Sequence, residues 1–130
     1  MFDWVRERSK CCLSTVFNNL AEVLDSDVKT VNALGRKGVR FETTRPQPSK
    51  LIVVRERDFT GIIETDSVVF ELTASRITAV QRNGAGNPKS LFSASPNLTA
   101  EGNCVLEIDG TSLRLWQVSR LALEDLFFGF

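Results

Sequence analysis

The sequence predicts an α+β fold: a pair of amino-terminal helices, an antiparallel sheet or open barrel of about five to seven strands, and a short carboxy-terminal helix. Three observations carry this. Apolar residues recur at helical spacing as far as Leu34, strand-like runs take over after Gly38, and a helical stripe returns after Ser119. One domain spanning residues 1–130 is expected, with a helical layer over 1–35, a sheet over 38–117 and a closing helix over 118–130.

From Asp3 to about Leu24, the residues Val5, Cys12, Leu13, Val16, Phe17, Leu20, Val23 and Leu24 form one apolar stripe, which predicts an amphipathic helix. Asp25-Ser26-Asp27 then reads as its end, with Ser26 or Asp27 capping a second helix through Val28, Val31 and Leu34 that stops at Gly35. Val39-Phe41-Thr43 and Leu51–Val54 predict strands, separated by a loop that Pro46 and Pro48 impose. Ile62-Ile63, Val68–Thr73, Arg76–Val80 and Ser90–Phe92 predict further strands, with a turn over Asn83–Pro88. The strongest local signal is Cys104–Trp116, where Asp109-Gly110 suits a type I′ turn between two alternating runs. Pairing across that turn puts Cys104, Leu106, Ile108, Leu113 and Leu115 on a core face, and Val105, Glu107, Ser112, Arg114 and Trp116 on the other. Cys104 is therefore expected to be a buried, inert thiol. Ser119 is expected to cap the last helix, whose apolar residues are Leu121, Leu126, Phe127 and Phe130.

Composition bounds the chemistry. The chain has no histidine and no tyrosine, so it lacks the commonest general base and the commonest phenolic acid, and a noncatalytic protein is expected. Sixteen basic residues balance sixteen acidic ones, which gives no overall field toward nucleic acid or membrane. No apolar run reaches the ~18 residues of a spanning helix, and the charged start Met1–Arg8 lacks the apolar centre of a signal peptide. Three cysteines, with Cys11 and Cys12 adjacent, show no disulfide spacing, and together these features predict a cytoplasmic protein.

The candidate reactive groups mostly lack companions. Cys11-Cys12 has no histidine to act as base, and the cysteines lack the spacing of a zinc site, so no metal or cofactor is expected. Ser26-Asp27-Val28-Lys29 has the S-x-x-K spacing of serine acyltransferases without their S-D-N and K-T-G elements. Gly84-Ala85-Gly86 has no third glycine and no helix after it, so it is a turn rather than a dinucleotide loop. Glu64 with Asp66 and Asp25 with Asp27 are carboxylate pairs at expected turns and caps. The richest candidate is the basic stretch 36–57, where Arg36, Lys37, Arg40, Arg55 and Arg57 could gather on one sheet face and bind an anion such as a phosphate, a lipid headgroup or nucleic acid.

Phe70-Glu71-Leu72-Thr73-Ala74-Ser75-Arg76-Ile77 resembles the L-T-x-x-R-[IL] strand-turn-strand of bacterial pleckstrin-homology-like and GRAM-like domains, over residues 38–130. That resemblance implies a curved antiparallel barrel plugged by the last helix, and a binding or assembly role. The order of helices before strands also fits a cystatin-like or NTF2-like cone, whose cavity would hold a small molecule. The function expected from all this is an interaction or assembly module, a homodimer or the binder of another protein, using the apolar chain ends or a sheet edge. Trp4, Trp116, Phe127, Phe128 and Phe130 are its expected interface residues.

Overall fold

The computed structural model describes residues 1–129. Its elements run α1 (Trp4–Lys10), α2 (Leu13–Ala33), β1 (Val39–Gln47), β2 (Lys50–Phe59), β3 (Ile62–Leu72), β4 (Ile77–Asn83), β5 (Lys89–Leu98), β6 (Cys104–Ile108), β7 (Thr111–Leu113) and α3 (Leu115–Phe128). The seven strands form one antiparallel meander in sequence order, and α2 and α3 pack on the same face of it. This is the α+β architecture that the change of period predicts.

Residues of even spacing along each strand turn to the helices: Phe41, Leu51 and Val53, Val68 and Phe70, Ile77 and Ala79, Phe92 and Ala94, Leu106 and Ile108. They meet Val16, Phe17, Leu20, Leu24, Val28 and Val31 from α2 and Val118, Ala122, Leu123, Leu126 and Phe127 from α3 in one core. The far face carries half-buried Ile52, Val54, Val69 and Val80. Register slips between Thr44 and Gln47, and again between Ala79 and Val80, bend the meander around the helices.

The helix pair divides at a different place from the one expected. The break falls at Cys11-Cys12, and α2 runs unbroken through Asp25-Ser26-Asp27. Its buried stripe continues across those residues from Leu24 to Val28 and Val31, so packing outweighs the capping tendency of the polar triplet. Lys29 pairs with Asp25 one turn back at 3.0 Å, which further supports the helix there. Val5, expected on the buried stripe, is exposed, and α1 buries none of its residues.

The Asp109-Gly110 turn forms as the sequence predicts, with φ of 50° and 78° and Leu106 facing Leu113. The second strand of the hairpin is only Thr111–Leu113, because α3 starts well before Ser119. Gln117 reaches back to accept the Arg114 N–H at 2.8 Å, which caps the helix at Arg114. Trp116 therefore belongs to α3 and not to the hairpin. Ser119 is buried inside the helix and donates to Asp27 Oδ2 at 2.6 Å, joining α3 to α2.

Cys104 is the main correction. It is exposed, not buried, and it forms a disulfide with Cys11 across 93 residues of sequence, with a Cα–Cα separation of 5.5 Å. The bond ties the α1–α2 junction to the start of β6. The absence of disulfide spacing, one premise of the cytoplasmic expectation, thus fails. No helix among the described residues is long and apolar enough to cross a membrane.

At the long free edge of the sheet, the side chain of Asn32 from α2 takes both backbone groups of Phe41. Its Nδ2 donates to the Phe41 carbonyl at 2.8 Å, and its Oδ1 accepts the Phe41 N–H at 3.0 Å. Nearby, Arg45 reaches from β1 back to Asn18 at 2.6 Å.

Candidate interaction surface

α2 and α3 meet along an apolar groove of about 370 Å³. Val31 and Leu123 form its floor, Phe127 closes one end, and Leu34, Trp116 and Phe128 stand at its rim with 63%, 57% and 53% of their surfaces exposed. Its polar lining comes from Asp27, Thr30, Ser119, Arg120 and Glu124. The Ser119–Asp27 hydrogen bond crosses the groove, and an Arg120–Glu124 ion pair at 3.1 Å lies along the outer turn of α3. Rim aromatics over an apolar floor provide a contact surface with large apolar area and fixed geometry.

The wall at the carboxy-terminal end of α3 is held by arginines. Arg55 is buried, pairs with Asp66 at 2.7 Å, and donates through its other Nη to the Leu126 carbonyl at 2.7 Å. Arg36 donates to the Phe127 carbonyl at 2.9 Å, and its guanidinium lies 5.3 Å from the Phe128 ring centre. The last carbonyls of a helix lack intrahelical donors, so two guanidinium groups satisfy them and oppose the negative end of the helix dipole. Arg57 shares Asp66 at 2.9 Å and also reaches Glu64 at 3.2 Å.

Three of the basic residues expected to bind an anion thus meet at the end of α3. Arg55, Arg57 and Arg36 are turned to carboxylates and helix carbonyls, while Lys37 and Arg40 remain on the surface before and within β1. Glu64 and Asp66 lie within β3 and not at a turn, and Asp66 is buried between the two arginines. Asp25 and Asp27 likewise lie within α2.

Of the expected interface residues, Trp116 and Phe128 share the groove rim and Phe127 forms its end wall, with its ring edge-on to Phe41 at 5.0 Å. Trp4 is exposed on α1 and does not line the groove, and Phe130 lies outside the described residues. Leu34 and Ser119 were not among the expected site residues. Leu34 reads as one more position of a helical stripe, and only the packing of two helices distant in sequence turns it into a rim residue.

Cys12 and Cys104 lie away from the groove. Cys12 stands at the N-cap of α2 with its sulfur 3.2 Å from Thr15 Oγ1 and 3.6 Å from Ser14 Oγ. The Thr15 hydroxyl, then the Thr15 backbone N–H and the Ser14 hydroxyl, stabilise its thiolate and lower its pKa to about 7. No group of three or more Cys, Asp or Glu among the described residues is placed to hold a metal ion. Comparison of the chain with protein-family profiles, with characterised proteins and with solved structures finds no match.

Proposed function

We propose that this protein is a noncatalytic interaction module that self-associates as a homodimer through the α2–α3 face. The observation that carries this reading is the groove itself: a knob, Trp116, and an apolar hollow occupy one patch. Two copies related by a two-fold axis can each place Trp116 in the hollow of the other, which is what an isologous interface requires. The likeness of Phe70–Ile77 to pleckstrin-homology-like and GRAM-like domains agrees with a binding role, and Thr73 and Arg76 do form a tight turn there, with the Thr73 N–H on the Arg76 carbonyl at 2.8 Å. A cavity-binding role has less support, since Phe17, Phe70, Leu106 and Leu126 fill the space between helices and sheet. Anion binding would rest on Lys37 and Arg40, because the other arginines are engaged in ion pairs and carbonyl contacts.

Light scattering on the purified protein at micromolar concentration tests the proposal. A mass twice the 14.5 kDa of the chain is expected, falling to that of one chain in Trp116→Glu. A monomer throughout that concentration range overturns it.

A further inference from the structure

We propose that the Cys11–Cys104 bond is a redox-operated tether that holds α1 on the protein and lets it go when a dithiol reduces it. This goes beyond the interaction reading and does not depend on it. The argument begins with how little else secures α1. None of its seven residues is buried. Trp4 and Val5 are 64% and 58% exposed, and the ring of Phe2 lies against Gly102 in the same turn that leads to Cys104. A seven-residue helix is too short to persist alone in water, so its order depends on these attachments at the β5–β6 turn.

The bond is open to attack from one side. Cys104 is exposed and Cys11 is 1% exposed, so a solvent thiolate meets the Cys104 sulfur first. In the first step a thiolate of the dithiol attacks Cys104 Sγ, the Cys11–Cys104 bond breaks, and its electron pair leaves on Cys11 Sγ, which takes up a proton. In the second step the other thiolate of the reductant attacks its own sulfur in the mixed disulfide, and Cys104 leaves as a thiolate and is protonated. Two electrons and two protons pass from the dithiol to the protein, and the dithiol departs as a disulfide. Cys11 then remains as a small apolar group in the core, which a thiol tolerates well. Cys12 is the free cysteine and not a partner in this bond.

The helix carries its own reporters, because Arg6, Arg8 and Lys10 are trypsin sites. Native protein is treated with dithiothreitol, alkylated, and its thiols counted by mass spectrometry, then digested briefly with trypsin. One alkylated cysteine is expected before reduction and three after when an aliquot is alkylated in denaturant, with cleavage of the undenatured protein at these three sites roughly tenfold faster or more in the reduced form. Hydrogen exchange should lose protection over residues 1–12 while β2 and β3 keep theirs. The double variant Cys11→Ser with Cys104→Ser should match the reduced protein, and Cys12→Ser should respond to reductant as the parent does. Unchanged cleavage with three free thiols overturns the proposal, as does a bond that resists the dithiol in folded protein. Loss of protection throughout the sheet also overturns it, because reduction would then unfold the protein and not release a segment.

Discussion

α1 and α3 are both modest helices near the ends of the chain, and they are attached by opposite means. α3 buries Val118, Ser119, Ala122, Leu123, Leu126 and Phe127, and its polar groups are met by Asp27, Gln81, Arg55 and Arg36. α1 buries nothing and depends on one covalent bond and one ring contact. Many weak contacts form and dissolve together with the core, whereas a single bond can be removed chemically while the core stays. The difference separates the part of the molecule that is fold from the part that can be regulated.

The sharpest way to break the α3 side is Asp66→Ala. It removes the carboxylate that neutralises Arg55, a buried cation left with the Leu126 carbonyl, and with it the partner that also steadies Arg57. Breaking a buried pair from one side costs about 3–5 kcal/mol, so the urea midpoint should fall steeply, with the carboxy-terminal turn of α3 losing hydrogen-exchange protection first. A smaller effect is expected from Ser119→Ala, which removes the 2.6 Å bond to Asp27. Asp27 is only half-buried and can rehydrate, so roughly 1–2 kcal/mol is expected, measured by the same denaturation.

The smallest effect tests the junction beside α1. Cys12 has a folded pKa lowered to about 7 from 9.0, so its thiolate contributes stability that is fully present above the unfolded value and is lost as pH falls through 7. Stability of the parent should therefore rise slightly between pH 7 and pH 9 relative to Cys12→Ser, and alkylation of Cys12 should reach half its maximal rate near pH 7. Equal slopes for the two proteins would show that the hydroxyl contacts do not hold the thiolate.

The elements that could be read from the sequence were those specified by neighbours in the chain. The Asp109-Gly110 turn is fixed by two residues with positive φ, and it forms as expected with Leu106 facing Leu113, whereas Val105, expected on the outer face, is buried and Cys104, expected on the core face, is exposed. The change from helical to strand period after Gly38 is also local, and so the α+β class was legible. The misread features depend on distant partners. Asp25-Ser26-Asp27 looks like a helix end until the sheet beneath claims Leu24, Val28 and Val31. Cys104 looks inert until the fold brings Cys11 to it from the other end of the chain. Arg36, Arg55 and Arg57 are close in sequence and suggest one basic patch, but the partners that absorb them, Asp66 and the carbonyls of Leu126 and Phe127, lie on other elements. Of the contact surface, Trp116, Phe127 and Phe128 were anticipated from residue type alone. Their convergence with Leu34 was not.

Asn32 has a bearing on what kind of assembly this protein can form. An outer strand with open backbone groups is a template on which a foreign strand can grow, and such growth ends in fibres. By presenting one amide as donor and acceptor to Phe41, α2 acts as a counterfeit strand one residue long. It occupies the third residue of β1, where a strand growing on the first half of that edge would need a pair of hydrogen bonds. The opposite edge is a strand of three residues, too short to nucleate growth. Closed assemblies built through helices remain open to this molecule, and strand-by-strand polymerisation is obstructed at both sides of its sheet.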